Sequence, residues 1–221
     1  LKALPSPFLV YQDYEKAFSN DIIGHTGASL YRVFCGLSIS LILAIIIGVL
    51  MGSYKKINKL FAPLLYFTYP IPKLALLPVV MILFGIGETS KIIIIVLIIV
   101  FQLIINIRDG IQNINREKFD VLTSLNATTL QKLRHITIPA VLPEIFSSLR
   151  VALGISMSAL FFTETYGTDK GLGFYITDSW MRIDYTQMYF GICALSLVGF
   201  LIFFSIDILE NVVCRWKKNR H

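Results

Sequence analysis

The run IIIIVLIIVFQLIINI, Ile92 to Ile107, holds 16 consecutive uncharged residues, nearly all isoleucine, leucine or valine. Such a run could be a buried strand or a buried helix. Its length and its company decide for a helix. Other apolar runs flank it on both sides, and in lipid an open strand edge leaves backbone groups without partners. A crossing needs about 20 apolar residues. Val33 to Gly52 is 20 residues without a charge, and Leu60 to Gly87 is 28 residues with Lys73 as the one charge. Pro139 to Tyr166 carries Glu144, Arg150 and Glu164, and Tyr185 to Ile206 is 22 uncharged residues. Five spans are therefore expected in an all-α integral membrane protein.

Composition agrees. The 221 residues are 55% hydrophobic and 15% charged, with a mean hydropathy of +0.70. Soluble domains carry about 25% charged residues. The net charge of +6 is not spread over a polar surface, as nucleic-acid binding would want. It sits in the connections between apolar runs. One side carries Lys55, Lys56, Lys59, Arg108, Arg116, Lys118, Lys132, Arg134, Arg215, Lys217, Lys218 and Arg220. The other carries Lys2, Lys16, Lys91, Lys170 and Arg182. By the positive-inside rule the first side is cytoplasmic. The expected parts are an external segment 1–27, a cytoplasmic loop 108–138 and an external loop 166–186, all within one domain 1–221.

Three cysteines, Cys35, Cys193 and Cys214, form no even disulfide framework. Ser6 and Pro7 suit the N-cap and first position of a short surface helix. Pro63, Pro70, Pro72 and Pro78 crowd the second span, which is either kinked or broken around a cavity. Lys73 lies deep in that run. It could draw an anion into a translocation pathway, or it could snorkel to an interface. Glu164 is the second pathway candidate, with a structural role beside Tyr166 or a backbone amide as the alternative. Arg150 is expected to snorkel.

The loop 108–138 is polar yet patterned. Phe119, Leu122, Leu125, Leu130 and Leu133 suggest two short amphipathic helices broken near Asn126, a residue that tolerates a left-handed turn. An apolar stripe facing water implies a protein partner.

Several motifs resemble the permease subunit of binding-protein-dependent ABC importers, in the nitrate, sulfonate, taurine and bicarbonate branch. They are Leu4-Pro5-Ser6-Pro7, the set His25, Ser29-Leu30, Arg32-Val33 and Gly36, and the run Pro70 to Pro78. Phe84 to Lys91 and Gly171-Leu172-Gly173 complete them. The cytoplasmic loop aligns with that family's coupling motif. Asp120 takes the acid position, Val121 and Leu122 replace two alanines, and Asn126 replaces the glycine before Ala127. The motif ends at Ile136-Thr137-Ile138-Pro139, with Pro143 beyond.

The resemblance implies a type I importer fold with six spans, the first lying upstream of these residues. It implies a coupling site made of Asp120, Leu122, Ser124, Leu125, Asn126, Ala127, Leu130, Leu133, Ile138 and Pro139. A second permease subunit in a homodimer, two ATPase subunits and a soluble binding protein would complete the assembly. The sequence holds no Gly-x-x-x-x-Gly-Lys-Ser/Thr phosphate loop. ATP and Mg are accordingly expected on the partner ATPase, with no cofactor, metal or catalytic residue on this chain. A secondary transporter or channel is the competing class. It would want paired ionisable groups at mid-membrane, and a single lysine at that depth, Lys73, makes a poor relay.

Overall fold

The computed structural model describes residues 4–216. Among them every regular element is helical. Two short helices open the chain, α1 (Pro7–Gln12) and α2 (Tyr14–Ser19), and the long α3 (Ile22–Ser53) and then α4 (Lys55–Thr68) follow. A 3-10 turn (Lys73–Leu76) leads into α5 (Leu77–Phe84) and α6 (Glu88–Gln112). Next come α7 (Arg116–Ser124), α8 (Thr129–Lys132), a π turn (Leu133–Thr137) and α9 (Ile138–Glu164). The last two are α10 (Leu172–Met181) and α11 (Tyr185–Val213).

Four continuous helical stretches are long and apolar enough to cross a membrane: Ile22–Ser53, Glu88–Gln112, Thr129–Glu164 and Tyr185–Val213. The α4–α5 pair makes a fifth if it is counted as one broken span. The proline-rich second run is thus interrupted and not merely kinked. Pro70 and Pro72 remove two backbone donors at the break, and Pro78 sits in the first turn of α5, where a missing N–H costs nothing. Gly85, at φ +84°, ends α5 in a conformation that favours glycine. At the chain start Ser6 accepts a hydrogen bond from the Leu9 amide at 3.3 Å and Pro7 leads the helix.

The chain packs as two compact units. Among the described residues the first comprises 4–38, 72–98 and 153–203, and the second 39–71, 99–152 and 204–216. Each unit is assembled from distant stretches of sequence.

Helix α6 supplies core to both. Ile94 and Ile95 are buried in the first unit, and Ile99, Leu103 and Ile107 in the second. Close approach of α3 to α6 is permitted by glycines. A Cβ on Gly36 would lie 2.5 Å from Ile95. On Gly48 it would lie 2.9 Å from Ile107, and on Gly52 2.7 Å from Ile111. Small residues at such crossings let helices pack without the hydrophobic drive that lipid abolishes.

The first and third spans begin earlier than apolar counting suggests, at Ile22 instead of Val33 and at Glu88 instead of Ile92. The segment 1–27, expected to be external, already contains the start of α3, and the loop 166–186 contains the ten-residue α10. Lys2, Lys217, Lys218 and Arg220, which enter the charge asymmetry, lie outside the described residues.

Candidate functional site

The second unit holds the 115–139 segment. Asn115 caps α7 by accepting from the Glu117 amide at 3.1 Å. The helix ends in a Schellman closure. The Ala127 amide reaches the Leu122 carbonyl, and the Asn126 amide reaches the Thr123 carbonyl, both at 2.9 Å. Asn126 occupies the left-handed position at φ +53°, as its place in the pattern requires.

Thr128 then caps α8 in a reciprocal box. The Gln131 amide donates to Thr128 Oγ1 at 3.3 Å, and the Thr128 amide donates to Gln131 Oε1 at 2.7 Å. The chain does not stop there. It continues through the π turn into α9, so residues 129–164 form one helical run. Pro139 explains the widening. It has no N–H for the carbonyl four residues back, and its ring would strike that carbonyl in a regular α-helix.

The four-leucine stripe divides. Leu125 and Leu130 are each 72% exposed, whereas Leu122 and Leu133 are half-buried. Leu122 faces a cleft of about 630 Å³ lined also by Lys118, His135, Ile136, Pro139 and Trp216. Half of the stripe thus packs back on its own unit, while Leu125 and Leu130, with Val121 and Ile138, present apolar surface. Asp120 and Ser124 are exposed, Ala127 and Pro139 half-buried, and Ile138 exposed. Arg150 does not simply snorkel. It donates to Asp207 at 2.8 Å and to Glu210 at 2.5 Å.

In the first unit one face of α3 carries His25, Ser29 and Arg32, spaced four and three residues apart. All three reach the connection between α9 and α10. Arg32 is completely buried and uses all five donors. Nε and Nη2 grip both oxygens of Glu88. Nη1 donates to Glu164 at 2.6 Å and to the Lys170 carbonyl at 2.8 Å, and Nη2 also approaches Thr168 Oγ1 at 3.4 Å.

Glu164, also fully buried, accepts in addition from Ser29 Oγ at 2.8 Å and from the Gly173 amide at 2.8 Å. Ser29 Oγ accepts from the Leu172 amide at 2.8 Å, and His25 Nδ1 accepts from the Gly171 amide at 3.1 Å. Buried Lys91 donates to the carbonyls of Gly87 and Gly167 at 3.2 and 3.1 Å.

Arg32 thus meets two carboxylates and Lys91 two carbonyls, and none of these charges is buried without a partner. This supplies the reason for Gly171-Leu172-Gly173. Gly171 has φ +125°, and a Cβ there would collide with the Glu164 carboxyl and the Arg32 guanidinium. A Cβ on Gly173 would lie 2.6 Å from the Phe161 carbonyl.

Glu164 therefore has no surface to offer a passing solute. The backbone-amide partner expected for it is Gly173, and Tyr166 takes no part. Lys73 lies on the 3-10 turn between α4 and α5, half-buried.

The same unit ties α1 and α2 down. Lys16 donates to Asp184 at 2.6 Å, which raises the lysine pKa. Gln187 Nε2 donates to Asp13 Oδ2 at 3.0 Å, and its Oε1 accepts from Tyr175. Burial pushes the Tyr175 hydroxyl up to about 12, so it remains a donor at physiological pH.

Sequence reasoning missed Arg32, Ser29, Glu88 and Lys91 as a set. The available signal was the His25–Ser29–Arg32 face and the Glu88–Lys91 pair three residues apart. Both sit at the edges of apolar runs, where an unbalanced charge would be costly. Among the described residues no group of three His, Cys, Asp or Glu could hold a metal ion.

Comparison with known proteins sets these features in a family. The description "Binding-protein-dependent transport system inner membrane component" matches residues 40–217. The formylaminopyrimidine transport permease ThiX of Halalkalibacterium halodurans is 29% identical, over 98% of this chain and 87% of its own length. The putative aliphatic sulfonates permease SsuC of Bacillus subtilis is 30% identical over 98% and 79%. The taurine permease TauC of Escherichia coli is 30% identical over 87% and 70%. Among solved structures, an inward-facing MetNI methionine ABC transporter superposes with a TM-score of 0.74 at 16% identity, covering 86% of this chain and 95% of that one. That likeness concerns the fold alone. The chain belongs to the family of binding-protein-dependent inner-membrane permeases, as a multi-pass ABC importer permease of the branch that holds the sulfonate, taurine, bicarbonate and nitrate permeases.

Proposed function

We propose that this chain forms the translocation pathway of an ATP-driven importer and receives its energy from separate ATPase subunits through the segment from Asp120 to Pro139. The observation that carries this reading is the exposed apolar pair Leu125 and Leu130 on either side of the left-handed turn at Asn126. A water-facing leucine pair on a backbone held by two caps and a Schellman closure suits a helix-in-groove contact, in which a few anchors supply most of the energy. The absence of a phosphate loop from the sequence is consistent with ATP and Mg bound by the partner.

A soluble binding protein would deliver solute on the opposite side, and a second copy of this chain would complete the pathway. The solute is a small polar molecule. The relatives' names cover sulfonates, taurine and bicarbonate but also a formylaminopyrimidine, so the favoured anionic solute rests on Lys73 at the α4–α5 break.

The test is uptake and binding-protein-stimulated ATP hydrolysis in proteoliposomes. Leu125→Glu is expected to lower both together while membrane insertion survives. Full coupling in that variant would place the energy input elsewhere. Orientation is checked separately in intact cells. An impermeant thiol reagent added outside should label Asp169→Cys and leave Asn113→Cys untouched, and the reverse pattern would invert the topology.

A further inference from the structure

We propose that Arg32 is a positioning residue: with Glu164 it locks the 165–173 connection into the one conformation that the soluble binding protein recognises. This rests on the importer reading above and adds to it a site and a role.

Loops that connect elements are ordinarily mobile and carry few ties to the scaffold. This one is pinned at five backbone points by side chains from α3, α6 and α9. Lys91 holds the Gly167 carbonyl, and Arg32 holds the Lys170 carbonyl. His25, Ser29 and Glu164 hold the amides of Gly171, Leu172 and Gly173. A sixth tie runs through Thr168, whose Oγ1 accepts from the Lys170 amide at 3.2 Å and lies beside Arg32.

The backbone is held against buried charge, yet Tyr166, Asp169 and Lys170 point to solvent. Exposed aromatic and charged side chains on a preorganised backbone are what a recognition surface needs, because little ordering entropy is then lost on binding. Along the chain, the 27 residues of α9 run between the coupling segment and this connection. One span therefore separates the two, as a partner outside the membrane requires. A buried ion pair adds little net stability compared with apolar packing, and it is better suited to specifying one arrangement.

The test uses the assembled importer, permease with ATPase, in proteoliposomes. The probe is the importer's own binding protein, purified with its solute bound. The double variant Arg32→Gln/Glu164→Gln removes the fully buried pair as a unit and leaves Glu88, which is half-exposed, to solvent. It should raise the binding-protein concentration for half-maximal ATPase stimulation at least tenfold. Basal hydrolysis, and the maximal rate at saturating binding protein, should stay within twofold of wild type. Hydrogen exchange at residues 167–173 should accelerate in parallel. Arg32→Lys, which keeps the charge without the planar fork, should lie between.

If the double variant does not assemble, Ser29→Ala carries the test. It removes the Leu172 cap and one donor to Glu164 while both ion pairs remain, and about a threefold rise is expected. Faster exchange with an unchanged half-maximal concentration would overturn the proposal, as would a fall in rate at every concentration. A wild-type complex that binding protein does not stimulate would contradict the importer reading itself.

Discussion

In the connection from Thr165 to Gly173 five backbone polar groups meet side chains of α3, α6 or α9. From Asn115 to Lys132 the hydrogen bonds stay local, running between residues no more than five apart. The first segment rests on three buried charges, Arg32, Lys91 and Glu164, and exposes polar tips. The second hides little charge and exposes leucines. Both are polar connections at the ends of apolar helices, yet they are held by different means. One conformation is imposed by tertiary electrostatics. The other is set by caps and one left-handed residue. Substitutions should therefore separate the two, with stability losses large in the first and coupling losses large in the second.

The greatest loss of stability is expected from breaking one arm of the buried cluster. Arg32→Met strips buried Glu164 of its guanidinium and leaves an uncompensated buried charge, at a cost of about 3–5 kcal/mol. Thermal melting of the detergent-purified protein reads this directly, and a melting temperature near wild type would show that the charge finds water or another partner. Gly171→Ala should follow at about 2–3 kcal/mol, since the new Cβ meets the Glu164 carboxyl at a backbone angle that side chains avoid.

At the second site, Asn126→Val should cost about 1–2 kcal/mol locally by disfavouring the left-handed turn, and Asn126→Gly should be tolerated. Helix content is expected to be unchanged in both, while substrate-stimulated hydrolysis falls only in the valine variant. Ile183, at φ +60°, ends α10 in the same kind of closure and exposes its side chain. Ile183→Gly should raise stability by about 1 kcal/mol, which would show that the strain belongs to the residue and not to the turn. Leu125→Glu is expected to move stability by less than about 0.5 kcal/mol and yet lower coupling. A large stability loss there would mean that Leu125 packs within its own unit.

Much of this was legible in the residues. Ile92–Ile107 announced a span, Ser6-Pro7 a helix start, and Asn126 a bend between two short helices. What stayed hidden has one physical cause. Hydropathy counts a charge as the end of a span, but Arg32, Glu88, Lys91 and Glu164 are balanced against one another and against backbone groups. Helices therefore run on through Arg32 and Lys91, and α3 begins at Ile22. The neutralisation depends on residues as much as 138 positions apart in sequence, which no local pattern reveals. The same limit hid α10, whose Gly171 and Gly173 read as loop residues until Glu164 supplied the reason for them. In the 108–138 loop the pattern marked the break at Asn126 but not that the second helix runs on into α9. It could not show which leucines fold back, because that depends on Ile136, Pro139 and Trp216 across the cleft.

On the proposed coupling, the 120–139 segment, and not the 165–173 connection, touches the ATPase. Photo-crosslinking in native membranes tests it most directly, with a photoreactive amino acid placed at Leu125 in one strain and at Tyr166 in another. The account predicts a covalent adduct with an ATP-binding subunit from position 125 and none from position 166. An ATPase adduct at 166, or its absence at 125 while the importer remains active, would contradict it.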